Sequence, residues 1–225
     1  MKISLLPVGL LLGLLTLAGC ATGTNRPHNY ARWEKAIHAF ELQDVRRAPP
    51  TNAIVFTGSS TIARWKTLAK DFPGLPVVNR GFGGSQIVDA AHFAGRMIFP
   101  CQPRMILLRA GGNDLWSGKS PEEVAGDFKD FAETVHAKLP GTKIVYLSLS
   151  PSPLRWRQHE QEKQLNNLVG AYIAGKSWLQ YVETYDLPLG TNGLPRPELF
   201  VSDRLHFNAA GYKLLAGRVR PCLPK

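Results

Sequence analysis

Along this chain, short apolar runs alternate with longer stretches in which apolar residues recur every three or four positions. The runs are AIVFT at 53–57, LPVVN at 75–79, MILLR at 105–109, KIVYLSL at 143–149 and LQYVET at 179–184. Each is nearly continuous and closed by polar or turn-forming residues, the pattern of a strand covered on both faces. The periodic stretches predict helices over 61–70, 86–97, 121–138, 155–175 and 209–219. One more helix is expected from about Ala31 to Val45, with Trp33, Ile37, Phe40 and Leu42 on its apolar side, and RRAPPTN ends it. Strands separated by helices pair in parallel, and right-handed crossovers place helices on both faces. The predicted fold class is therefore α/β, a three-layer α/β/α sandwich on a five-stranded parallel sheet. Ligands in such folds bind beyond the carboxyl ends of the strands, so the residues just after each strand are where chemistry belongs.

The first twenty residues do not fit this alternation. Lys2 precedes the apolar run LLPVGLLLGLLTL, which ends in AGC. A positive residue, a short apolar run and small residues read as a secretory signal, too short for a confident transmembrane span. The ending LAGC resembles the bacterial lipobox, in which cleavage precedes the cysteine and Cys20 carries lipid. The expected organisation is a signal peptide over 1–19, a lipidated polar tether over 20–30 and a single domain over 31–225. Ala21 stands where inner-membrane lipoproteins often carry Asp, so the resemblance implies the outer membrane, with the domain facing the periplasm.

Composition changes this picture little. Apolar residues make up 44% of the 225 and charged residues 20%, the balance of an ordinary folded domain. Loss of residues 1–19 would remove Lys2 and no acid, lowering the net charge from +10 to +9. The basic residues are scattered and no nucleic-acid motif occurs, so a solvated basic surface is expected and nucleic acid is not an expected partner. With Cys20 assigned to lipid, Cys101 and Cys222 remain. Both lie at the end of the sheet away from the strand carboxyl termini, and an oxidising compartment would allow a disulfide between them.

Four segments place chemistry-bearing residues at strand ends. TGSST follows the first strand; Gly58 permits a tight turn, and a serine hydroxyl there meets the unpaired N–H groups of a helix start. Serine is also a preferred N-cap, and on its own the stretch reads first that way. NRGFGGSQ, 79–86, follows the second strand; its glycines suit either an anion-binding loop or a simple turn, and it matches neither a dinucleotide fingerprint nor a Walker loop. RAGGNDLW, 109–116, follows the third; Asn113 offers a side-chain amide, although Asn-Asp also favours turns. FVSDRLHFNAAGY, 200–212, opens the last helix and sets His206 three residues after Asp203. Asp203 can orient the imidazole and leave its other nitrogen free as a general base. A metal pair is the competing reading, but no third ligand stands at a recognisable spacing.

A serine, a glycine loop, an asparagine and an Asp-x-x-His in this order resemble the SGNH hydrolases, also called the GDSL esterase/lipase family, over about 52–220. GGND and DRLHFN are the most specific parts. The resemblance implies a flavodoxin-like SGNH hydrolase fold and a carboxylic ester hydrolase. It implies Ser60 as nucleophile, Asp203 and His206 as its partners, and an oxyanion hole from Ser60, Gly84 and Asn113, with no metal or cofactor required. Here Ser59 occupies the family's usual Asp position and Ser85 replaces the aspartate of Gly-Gly-Asp. Substrates left open are short acyl esters, lysophospholipid-like esters and acylated envelope glycans, with hydrolysis or acyl transfer, and a non-catalytic binding lipoprotein is the alternative to an enzyme. Trp116 and Trp156, with Leu115 and Leu154 nearby, are candidates to line a substrate pocket.

Overall fold

The computed structural model describes residues 28–224. The expected signal segment, Cys20 and the tether up to residue 27 lie outside the described residues. Five parallel strands, β1 (Ile54–Gly58), β2 (Val77–Gly81), β3 (Met105–Arg109), β4 (Lys143–Leu147) and β5 (Leu179–Val182), form one sheet in the order β2-β1-β3-β4-β5. β1 and β3 are central and buried at every position, which is why their sequences run apolar without alternation. β2 begins two residues later than expected, after Pro76, which has no N–H to give a ladder; the Pro76 carbonyl accepts from Ile54 instead.

Residues of opposite parity along the strands feed two separate cores. Val55, Ile106, Leu108, Ile144 and Tyr146 face one side. There they meet α1 (Glu34–Arg46), α4 (Ile87–His92), α5 (Ala94–Met97), α7 (Pro121–Lys138) and α8 (His159–Ile173). Ile54, Phe56, Leu107, Val145 and Leu147 face the other, against α2 (Ser60–Ala63), α3 (Leu68–Asp71) and α9 (Ala209–Val219). The three layers are thus those anticipated. α7 shows how local chemistry sets an element: Ser120 and Glu123 form a reciprocal capping box, Pro121 takes the first helical position, and Val124, Phe128, Phe131 and Val135 bury one stripe. Full burial of each such phenylalanine contributes about 1.5–3 kcal/mol.

Several boundaries differ from expectation for visible reasons. The helix expected over 61–70 is two single turns, because Trp65 Nε1 and Thr67 Oγ1 both donate to Asp71 Oδ2 at 2.6 Å, local bonds that compete with a continuous ladder. Leu42, placed on the apolar side of α1, is exposed; Trp33, Ile37 and Phe40 carry that contact. Residues 28–30, expected in the tether, belong to the packed domain: His28 Nε2 lies 2.7 Å from Asp89, and Tyr30 stacks on His92 with ring centroids 3.8 Å apart.

The expected disulfide is not formed. Cys101 and Cys222 are both free thiols. Cys101 is buried in the core beside α5, where Arg80 reaches its sulfur, whereas Cys222 packs against the core beneath α9, across the sheet. The two share an end of the sheet but not a face, and a disulfide needs α-carbons within about 7 Å. Burial pushes the Cys222 thiol up to about 11.

Candidate active site

β1 delivers its last residue into the crowded centre of the sheet. Gly58 pairs with Gly81 on one side and Arg109 on the other, at a φ of +126°. The chain then turns into α2. Ser59 occupies the N-cap position but makes no side-chain cap bond; its N–H donates to the Arg109 carbonyl at 3.2 Å, and its own carbonyl accepts from Ile62 and Ala63. Side-chain capping therefore does not account for the serine pair. Ser60 is the first residue of α2, and among the described residues its backbone N–H has no acceptor.

The hydroxyl of Ser60 meets an imidazole 146 residues further on. His206 Nε2 lies 2.8 Å from Ser60 Oγ, and His206 Nδ1 lies 2.7 Å from Asp203 Oδ2. The other carboxylate oxygen, Asp203 Oδ1, accepts from the backbone N–H groups of Leu205 at 2.9 Å and His206 at 3.0 Å. Partial burial opposes the charged form of Asp203, but the bonds from the His206 backbone, the His206 ring and the Leu205 N–H outweigh it and hold the carboxyl below its ordinary range. The loop is shaped by Arg204, whose φ of +57° makes the sharp turn, and by Val201, whose N–H donates to the His206 carbonyl. Asn208 then caps α9, accepting from Ala210 and Gly211. Arg64, at the end of α2, reaches back to Asp203 at 3.3 Å, an exposed contact worth little by itself.

Asn113 lies in α6 (Gly112–Trp116), a short helix where only a turn was expected. Its Nδ2 donates to the Ser85 carbonyl at 2.9 Å, while its Oδ1 accepts from Arg155 Nη1 at 3.0 Å. These two partners fix which way the amide points and leave one of its two N–H groups free. The glycine loop runs beside Ser60: a Cβ on Gly83 would sit 3.8 Å from that of Ser60, and Gly84 follows at a φ of +80°. The Gly84 N–H, like that of Ser60, has no acceptor among the described residues. Ser60 and Asn113 thus bring unused donors to one cleft, whereas Gly84, whose N–H is also unused, does not line it.

The cleft lined by Ser60, Asn113 and His206 has about 70 Å³ of free volume. Part of its lining was not anticipated: Arg109, Ser150, Arg155 and Glu162 line it together with Ser60, Asn113 and His206. Arg109 is buried and donates to the Ser148 carbonyl, to Thr184 Oγ1 at 2.8 Å and to Ser150 Oγ at 2.6 Å. Its one sequence signal is a charge ending an otherwise apolar strand at the ligand-binding edge. The four residues proposed for the pocket do other things. Trp116 is exposed beneath the Arg155 guanidinium, Trp156 stacks on His159, Leu115 is core and Leu154 faces solvent. Among the described residues, no group of three or more His, Cys, Asp or Glu is arranged to hold a metal ion.

Asp114, next to Asn113, is fully buried; its Oδ1 accepts from the Ile87 N–H at 3.0 Å and its Oδ2 has no partner. Burial pushes its carboxyl up to about 6, against the Ile87 bond and Lys119. A raised folded value means that Asp114 stabilises fully below its unfolded value near 4, and that this is lost as pH rises through 6. Asp114→Asn keeps the Ile87 acceptor without the charge. It should gain roughly 1–3 kcal/mol over the native chain at pH 8 and nothing at pH 4 in urea titrations; an equal change at both would rule out a charge effect.

The fold is a three-layer α/β/α sandwich on a five-stranded parallel sheet, with Ser60, His206 and Asp203 linked at its strand carboxyl ends. The GDSL-like lipase/acylhydrolase family model matches residues 46–214, and the chain belongs to that family, as an enzyme that hydrolyses ester bonds. Solved structures agree in fold. A Streptococcus pneumonia protein provisionally named a platelet activating factor shares 19% identity over 86% of this chain and 94% of its own, with a TM-score of 0.77. A GDSL-like lipase from Bacteroides thetaiotaomicron shares 20% over 86% and 96%, with a TM-score of 0.67. A catalytic mutant of an acetylxylan esterase from Geobacillus stearothermophilus shares 16% over 77% and 95%, with a TM-score of 0.61. Comparison with proteins of curated function gives no match.

Proposed function

We propose that this chain cleaves carboxylic esters of short acyl groups through an acyl-enzyme on Ser60. The observation that carries the reading is the unbroken relay from Asp203 through His206 to Ser60, with both links below 3 Å. His206 Nε2 takes the Ser60 proton as Oγ attacks the ester carbonyl, and Asp203 stabilises the imidazolium. The oxyanion accepts from the N–H groups of Ser60 and Gly84 and from the free N–H of Asn113; one such donor is worth on the order of 3 kcal/mol in the barrier. The tetrahedral adduct collapses, the leaving alkoxide takes the proton from His206, and water attacks the acyl-enzyme with His206 again as base. The small cleft favours acetyl-sized groups over long chains.

Fluorophosphonate labelling followed by peptide mapping tests this. The label should reach Ser60 and disappear in Ser60→Ala. No label, with no turnover of nitrophenyl acetate, would leave a binding lipoprotein as the better account.

A second reading, deacetylation of acylated envelope glycans or acyl transfer to them, is favoured by the polar wall of Arg109, Arg155 and Glu162. Acetate release from isolated acetylated polysaccharide separates it from a lipid esterase. We also propose that Cys20 is lipidated and ties the domain to the envelope, on the support of the LAGC ending. Radiolabelled palmitate should then be incorporated, and Cys20→Ser should abolish this and release the protein in soluble form; incorporation surviving the substitution counts against the anchor.

A further inference from the structure

The mouth of the cleft is rimmed by large apolar side chains that the described residues leave uncovered. Trp116 is 59% exposed, Leu154 55% and Val201 38%. They come from segments remote in sequence, and a chain of contacts joins them. The Trp116 ring carries the Arg155 guanidinium 4.9 Å from its centroid, and Arg155 lines the cleft. Leu154, the residue before, donates its N–H to the Arg204 carbonyl at 3.0 Å, and the Arg204 N–H donates to the Val201 carbonyl at 2.9 Å. The Val201 N–H donates in turn to the carbonyl of His206, whose ring faces Ser60. Three arginines are interleaved with these apolar tips, Arg155, Arg157 and Arg204, the last two exposed. Two neighbouring carboxylates are already engaged, Asp203 by His206 and Arg64, and Glu160 by Lys163. Exposed apolar tips set among arginines around one opening mark an interaction surface.

We infer that this rim is a docking surface for an anionic phospholipid leaflet. Trp116, Leu154 and Val201 enter the interface, Arg157 and Arg204 meet lipid phosphates, and the cleft opens toward the membrane. Three observations select a lipid surface. An indole, with its apolar body and single N–H donor, suits the boundary between headgroups and acyl chains. Arginines beside it attract anionic headgroups, and the chain as a whole carries +10. The third observation is where the chain enters the domain. His28, the first described residue, lies 2.7 Å from Asp89, and Asp89 accepts from the Gln86 N–H at 2.8 Å. Gln86 Nε2 then donates to Ser117 Oγ at 2.8 Å, beside Trp116. The N-terminal segment therefore enters at the edge that carries the rim. The path from Cys20 to His28 is at most about 28 Å even when fully extended. A chain of this length folds to a width of roughly 40 Å, so a lipid on Cys20 holds this edge, and not the opposite one, near the leaflet. That last step rests on the anchor proposed above; the composition of the rim stands without it, and the ester chemistry is not invoked.

The test is flotation on vesicles of phosphatidylethanolamine with phosphatidylglycerol, and on vesicles of phosphatidylcholine alone. It compares the Cys20→Ser chain with the same chain carrying Leu154→Ser and Val201→Ser, or carrying Arg157→Glu. All three share one N-terminal segment, so differences among them read the rim. Partition onto the anionic vesicles should fall about tenfold or more in each rim variant, and the Arg157→Glu difference should vanish on phosphatidylcholine. In the full chain with Cys20 intact, brominated phospholipid should quench tryptophan emission, and Trp116→Phe should remove most of that quenching. Turnover of nitrophenyl acetate should be unchanged in the rim variants, which shows that they fold. Equal partition of all three chains overturns the surface, as does quenching that Trp116→Phe leaves intact. A raised KM for nitrophenyl acetate in the rim variants, with vesicle binding unaltered, also overturns it and gives the rim to the ester. Failure of the anchor shows separately, as absent palmitate incorporation, and the wild-type chain then serves in the same flotation. Failure of the esterase reading shows as no turnover and no fluorophosphonate label. Folding is then read by circular dichroism, and flotation still decides the rim.

Discussion

Ser60→Ala is expected to lower kcat for nitrophenyl acetate by at least about 10⁴-fold, since nucleophile and base act as a unit. The adjacent serine should behave differently. Ser59 contributes its backbone N–H to Arg109 and its carbonyl to the first turn of α2, and its side chain caps nothing. Ser59→Ala leaves those backbone groups in place and should retain activity within about tenfold. His206→Ala should cost about as much as Ser60→Ala, and the double variant little more than either, because removing one member of a relay disables the rest. Equal losses from Ser59→Ala and Ser60→Ala would move the nucleophile, and additive losses at 60 and 206 would deny the relay.

What could be read in advance, and what could not, divides by how far each feature depends on contacts remote in sequence. β3 is found at its anticipated bounds because Met105 to Arg109 lie in the sheet centre with both faces covered, so the run itself carries the information. Ser60, Asn113, Asp203 and His206 were reachable because each follows a strand or opens a helix at the sheet edge where ligands bind. The wall of the cleft was not. Arg155 meets Asn113 across 42 residues and Arg109 meets Thr184 across 75, and no local spacing encodes either pairing. The paired cysteines fail for a related reason: their position along the sheet follows from the alternation of elements, but the face each one enters depends on how α5 and α9 pack.

The glycine before the serine pair carries the largest stability effect expected in this chain. A Cβ on Gly58 would stand 2.1 Å from the Arg109 carbonyl oxygen and 2.7 Å from its carbon, and the φ of +126° is itself unfavourable for any side chain. Neither neighbour is a flexible tip that can swing aside: both belong to the backbone of β3, in the middle of the sheet. Relief requires the carboxyl ends of β1 and β3 to part, which breaks the Ser59 bond to Arg109 and shifts Ser60 relative to His206. Strained φ and overpacking cost about 1–3 kcal/mol each, so Gly58→Ala should lose roughly 3–5 kcal/mol in urea unfolding and most of its turnover. Gly126 supplies the contrast. It sits exposed in the interior of α7 with nothing within 4 Å of an added Cβ, and Gly126→Ala should gain about 0.5–1 kcal/mol with kinetics unaltered. If Gly58→Ala were as stable and active as the native chain, the close approach of β1 to β3 that aims the serine would be wrong.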